Sequence, residues 1–286
     1  MSRSDVHVHL GTGQEDPVEM LKAMDSVGTD RAVIISVYPA DAGKDKGFGL
    51  GQVHVTNDPQ VTLDNCKFLS KFCSAAPDRL IGFVWIEPRL AQAPLLVKQC
   101  LDMPGVRGVK MIPNHWYPYE ERIFPAYAAV QDANAPILFH SGILFGFVDS
   151  SRFCRPCYYE ALLHFPKVRF ALAHISWPWT DECIATAGRF RAAVRRGERS
   201  MQMWIDLTPG TPEFYRKDAI DKALKYLGPE RLLWGTDTSP ANYANYGKEV
   251  KEMDRKILEE ELKLDSAALE KIYHKNLDDL LGQRRP

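Results

Sequence analysis

The sequence predicts an α/β protein, a single (β/α)8 TIM barrel with extra C-terminal helices, occupying residues 1–286 as one domain. Three observations lead there. Eight short runs rich in Val, Ile, Leu and Phe alternate with stretches whose apolar residues recur at helical spacing, as parallel βαβ units require. Most runs are apolar on both faces, as strands are when buried between a barrel core and an outer layer of helices. Strand starts at 31, 80, 106, 135, 168, 201 and 231 recur at a nearly constant interval, and only the gap from 31 to 80 is long.

In chain order the runs cover 5–10, 31–38, 80–88, 106–113, 135–141, 168–175, 201–208 and 231–238. Helices are expected over 17–27, 64–75, 93–102, 123–134, 156–165, 180–196 and 212–227, with two closing helices near 248–264 and 265–281. Asp16 before Pro17 reads as an N-cap followed by proline at the first helical position. The extra residues after the second strand, 39–60, are read as a lid over the catalytic face. Their GFGLG stretch lacks the order of a phosphate loop.

Thirty-six basic and 37 acidic side chains leave a formal charge of −1, which argues against nucleic acid or an anionic membrane as the partner. The longest mostly apolar stretch, 135–148, carries His140 and Ser141 and is too short to span a bilayer. The N-terminus shows no signal-like hydrophobic region. Six scattered cysteines read as free thiols in a reducing compartment, so a cytoplasmic protein is expected. Cys154 and Cys157 form a CxxC without thioredoxin-like context and are read as a loop and helix start.

In such a barrel, chemistry sits where strands end. Strand one ends in His7-Val8-His9, strand four in Lys110-Met111, strand five in His140, strand six in His174 and strand eight in Gly235-Thr236-Asp237. Side chains two apart on a strand share a face, so His7 and His9 can bend toward one ion, with Val6 and Val8 turned outward. A carboxylate at the end of Leu232-Leu233-Trp234 calls for a cation or a donor. The set points to one divalent ion, by default Zn2+, with Mn2+ or another divalent ion as the alternative.

These residues resemble the amidohydrolase superfamily, in the branch of metal-dependent hydrolases that contains aminocarboxymuconate-semialdehyde decarboxylase. The matching pieces are Asp5-Val-His7-Val-His9-Leu10, Gly108-Val-Lys110-Met-Ile-Pro113, His140, His174, the run from Gly228 to Asp237, and the closing helix with Asn276. The resemblance implies that His7, His9, His140 and Asp237 bind the metal and that His174 acts beside it. It also implies one metal rather than two bridged by a carboxylated Lys110, and it makes a homodimer the expected assembly.

The chemistry expected is hydrolysis of an amide, ester or lactone in a small, aromatic or cyclic substrate. Asp237 would take a proton from metal-activated water, and His174 would steady the oxyanion or protonate the leaving group. The alternative is non-oxidative decarboxylation of a small aromatic or unsaturated acid. No arginine follows His174 closely enough to clamp a substrate carboxylate, which favours hydrolysis. A second alternative is a non-catalytic binding barrel, although a His/Asp set with room for water differs from thiolate-rich structural sites. Lys110, His115, Trp116, Trp177 and Trp179 are expected to contact the substrate, helped by Phe145 and Phe147 in the loop after strand five.

Overall fold

The computed structural model describes residues 2–40, 55–147, 149–197, 200 and 202–282. Residues 41–54, most of the expected lid, lie outside the described residues, as does His54. Eight parallel strands follow one another around the sheet in chain order: β1 (Ser4–His9), β2 (Arg31–Ile35), β3 (Leu80–Trp85), β4 (Val106–Met111), β5 (Pro136–Phe139), β6 (Arg169–Leu172), β7 (Met203–Asp206) and β8 (Leu232–Leu233). The last strand returns beside the first. Val6 N–H donates to the Trp234 carbonyl (3.1 Å) and His9 N–H to that of Thr238 (2.8 Å), so the expected barrel closes.

Two apolar layers share this wall. Val33, Ile35, Phe83, Trp85, Leu138 and Trp204 fill the barrel. Val8, Ile34, Val84, Val109, Phe139 and Ile205 face outward against the helices. Val6 belongs to the inner layer, contrary to the expectation that it faces out with Val8. The cause is a register shift in β1 between Asp5 and Val8, which breaks the strict alternation on which that expectation rests.

The helices are α1 (Pro17–Val27), α2 (Pro59–Ser74), α3 (Ala93–Leu101), α4 (Phe124–Asp132), α5 (Thr180–Arg195), α6 (Glu213–Leu227), α7 (Tyr243–Arg255), α8 (Ser266–Glu270) and α9 (Asn276–Leu281). Helix α1 starts as expected, the Asp16 carboxylate accepting from Val18 N–H at 2.8 Å. Helix α2 begins five residues before its expected start, because Asp58 caps it in the same way ahead of Pro59. The expected helix over 156–165 is a 3-10 helix, Pro156–His164. The chain after α7 is broken by two π turns rather than forming two smooth helices. Leu277, Leu280 and Leu281 of α9 join the inner layer, and Arg31 at the start of β2 pairs with Asp278 at 2.6 Å, so the extra helices close the end of the barrel remote from the site. No helix among the described residues is long and apolar enough to cross a membrane.

Candidate metal centre

Each strand end delivers its polar residue to one place. The His7 and His9 Nε2 atoms lie 2.9 Å apart. Asp237 Oδ1 is 3.3 Å from the first and 3.4 Å from the second, and its Oδ2 is 3.9 Å from His174 Nε2. The ligand atoms of His7, His174 and Asp237 all lie within 4.8 Å of one another. Lys110 Nζ reaches His7 Nε2 at 3.0 Å. His140 borders the group, its ring 5.0 Å from that of His174, with Nε2 3.1 Å from the Ile143 carbonyl.

The backbone bends sharply to achieve this. His174, Ile175 and Ser176 are all left-handed, as is Asp237 (φ 53°). The left-handed region is unfavourable for side chains with a Cβ, most of all for β-branched Ile175, and such strain concentrates at functional sites. It also ends β6 at Leu172, earlier than expected, and turns the His174 ring into the barrel mouth.

Burial governs the protonation of the cluster. It pushes the His7 and His140 imidazoles well below their ordinary value, reinforced at both by the charge of Lys110, and it lowers His9 too. Burial brings Lys110 down to about 8 against the pull of Asp237 and Asp206. Burial alone would raise the Asp237 carboxyl, but His7, His174 and His9 around it reverse this and hold it well below the usual carboxylate range. The directions favour an ionised Asp237 carboxylate and disfavour protonation of His7, His9 and His140. Neutral ring nitrogens and one carboxylate oxygen are the donors that zinc, manganese and similar divalent ions accept, so the residues fit such a cation.

The cluster forms the floor of a cavity of about 700 Å³ open to solvent. His9, Lys110, His140, His174 and Asp237 line its base. Ile112, Ile143, Leu144, Phe145 and Phe147 make one wall, and Asn242, Asn245, Tyr246 and Glu249 make the other.

Of the five side chains expected to touch substrate, only Lys110 lines this cavity. His115 is exposed, with Nδ1 at 2.6 Å from Asn114 Oδ1 and its ring on Phe153. Trp116 is fully buried in the outer layer. Trp177 lines a separate groove with Tyr215 and Asp218, and Trp179 lies under the Arg155 guanidinium. Their loops follow the right strands, but they turn outward over the helices. Sequence reasoning missed the polar wall from the start of α7, and Asp206, whose Oδ2 is 2.8 Å from His7 Nδ1. The signal for Asp206 was present: a carboxylate ending the buried run Met203-Trp-Ile, as Asp237 follows its own strand.

A barrel with imidazoles and a carboxylate gathered at its strand ends defines the class of metal-centred barrel enzymes. The chain belongs to the amidohydrolase family: the Amidohydro_2 family model, described as Amidohydrolase, matches residues 4–282. Its members are metal-dependent enzymes, hydrolases or decarboxylases. No curated protein matches the chain. Among solved structures, a dihydroxybenzoic acid decarboxylase from Polaromonas sp. JS666, with bound manganese and 2-nitroresorcinol, is similar at 14% identity and TM-score 0.69, covering 100% of this chain and 98% of its own. A protein of Acinetobacter baumannii assigned as a 2-pyrone-4,6-dicarboxylic acid hydrolase, with citric acid bound, matches at 14% identity and TM-score 0.63, covering 99% and 100%. An uncharacterised TIM-barrel protein from Bordetella bronchiseptica reaches 20% identity and TM-score 0.64, covering 99% of each chain. At these identities the likeness concerns the fold.

Proposed function

We propose that this protein is a metal-dependent hydrolase that opens an ester, amide or lactone in a small ring-bearing substrate. The observation that carries the reading is Asp237 at the cavity floor, 3.3 and 3.4 Å from the His7 and His9 imidazoles and 3.9 Å from that of His174, with its carboxyl held well below the usual carboxylate range. His7, His9 and Asp237 would hold a divalent cation, zinc or manganese, with His140 completing the set and His174 beside it. Bound there, the cation supplies Lewis acidity, making water easier to deprotonate and a carbonyl easier to attack. Asp237 accepts the proton of the attacking water. His174 passes a proton to the leaving group. Lys110 places positive charge beside His7, where negative charge on the substrate would develop. The wall from Ile112 to Phe147 suits the face of a planar ring, and the carboxamides, phenol and carboxylate opposite suit hydroxyl or amino substituents.

Decarboxylation of an aromatic or unsaturated acid is the second reading, favoured by the decarboxylases that predominate among the similar structures and by Lys110 as a cationic anchor. One experiment separates them. Zinc- or manganese-loaded protein is offered a panel of aryl esters, lactones and hydroxybenzoates. Proton release without CO2 supports hydrolysis, whereas CO2 evolution from the acids, with esters and lactones untouched, replaces it with the second reading.

A further inference from the structure

We propose that helix α7 selects the substrate by charge: Glu249, the last residue of its cavity-facing row, favours a ring compound with an ammonium group away from the reacting carbonyl and rejects one with a carboxylate there. This selection rests on the reading of the cavity as the substrate site and adds to it the charge of the distal substituent. Asn242, Asn245, Tyr246 and Glu249 line one side of the cavity. They stand at i, i+3, i+4 and i+7, one face of a helix. Among the described residues their side chains find no hydrogen-bond or ion-pair partner, and Asn242 caps α7 without using its carboxamide. Glu252, one turn on and outside the cavity lining, pairs instead with Arg255 at 2.6 Å.

The row keeps its place because the back of α7 is fixed at three points. The Tyr243 hydroxyl lies 3.0 Å from a carboxylate oxygen of Asp5, on the strand that carries His7 and His9. Gly247 packs against α1, where a Cβ would lie 3.3 Å from the Val27 side chain. Asp254 is fully buried and takes two hydrogen bonds from the equally buried Arg216 of α6, at 2.8 and 2.9 Å. Arg216 also donates to the Leu207 and Thr208 carbonyls at the exit of β7. The helix is thus tied to two strands of the barrel wall, and its free polar groups are held over the mouth without having to be ordered on binding.

The charged groups of the cavity fall in two places. Lys110 and Asp237 stand at the floor with the imidazoles, and Glu249 stands on the α7 wall. With a divalent cation held by the cluster the floor is cationic, whereas the wall is anionic. A substrate with its reacting carbonyl at the floor and an ammonium group at the wall matches both, and a carboxylate at the wall meets a like charge. Tyr246 senses both places: burial first, then the charge of Asp237 and less so that of Glu249, raises its phenol and keeps it a hydrogen-bond donor.

The test uses ring acids that share one carboxylate: para-aminomethylbenzoate, para-hydroxymethylbenzoate and terephthalate. Binding to the zinc-loaded full chain is read by titration calorimetry at low salt, so no turnover is needed. The shared carboxylate goes to the cationic floor, and the other substituent meets α7. The wild type is expected to bind the aminomethyl acid about tenfold more tightly than terephthalate, with the hydroxymethyl acid between them and the gap narrowing as salt is added. Glu249→Gln should close most of the gap and Glu249→Lys should reverse the order, while Glu252→Gln leaves it unchanged. Glu249 is exposed, so these substitutions spare the fold. Terephthalate bound as tightly as the aminomethyl acid, an order indifferent to both Glu249 variants, or no binding of any of the acids would overturn the proposal. Failure of the hydrolase reading looks different: the expected order of binding, without turnover of esters or lactones that carry an aminomethyl group.

Discussion

His174 stands 3.9 Å from Asp237, farther than His7 and His9, at the base of the cavity. A group placed to carry a proton contributes about 10²- to 10⁴-fold to rate, whereas a metal ligand controls occupancy. His174→Ala is therefore expected to lose turnover on that scale while elemental analysis still finds stoichiometric metal; metal lost with the side chain would make His174 a ligand. Protonation of the cluster gives a second residue-scale prediction. His7, His9 and His140 are held below their ordinary value of 6.5 by burial first. Below that pH the unfolded chain binds protons that the folded one refuses, so the stability contribution is complete above 6.5 and is lost as pH falls. Asp5, pushed up to about 7 by burial, and Asp206, also raised by burial, act in the opposite sense, but two carboxyls are outnumbered by three imidazoles. The melting temperature of metal-free protein should thus drop between pH 6.5 and about 5. A flat profile would mean that the imidazoles are not kept neutral.

Elements decide which of these groups meet. The register shift in β1 turns Val6 into the barrel while His7 and His9 still converge, so the strand both fills the core and supplies the site. The loop after β7 works at closer range. Gly210 (φ 152°) leaves no room for a methyl group, which would sit 2.8 Å from His174. Gly210→Ala should cost about 1–3 kcal/mol of strain and lower kcat more than it raises KM; unchanged kinetics would show that His174 tolerates displacement. The loop after β5 supplies the apolar wall, where Phe147 packs on Tyr38 and Trp85. Phe147→Ala should raise KM for a ring substrate by about tenfold, equivalent to ~1.4 kcal/mol. Trp177→Ala, in its separate groove, should leave KM unchanged, and the reverse result would move the substrate site to the β6 loop.

At the scale of the molecule, eight strands from across the chain share one centre, so whatever binds there ties the fold together. A cation held by residues of β1, β5 and the segment after β8 binds only the folded chain, and at ~1,000 times its dissociation constant it adds about 4 kcal/mol of stability. Chelation should lower the melting temperature reversibly, with zinc or manganese restoring it. A melting temperature indifferent to chelator and to added metal would remove the metal centre from the account. The opposite end is closed by α9, whose Leu277, Leu280 and Leu281 plug the inner layer, so the cavity opens on the catalytic face.

The barrel was legible in the sequence because a parallel strand buried on both faces must be apolar along its length, and because polar residues ending such runs are rare enough to stand out. His7, His9, Lys110, His140, His174 and Asp237 were all found by that rule, and Asp206 obeys it as well. What the sequence did not contain was the direction in which the loops leave the strands. Aromatic residues after β4 and β6 share the composition of those after β5, but only tertiary packing sends Trp116 into the helix layer, Trp177 into another groove and Phe147 over the cluster. The polar wall of α7 lies beyond the reach of strand logic, since it depends on where that helix starts and on how it leans over the mouth. Local chemistry is written in short stretches of residues, whereas the shape of a pocket is a sum of long-range contacts that no short stretch encodes.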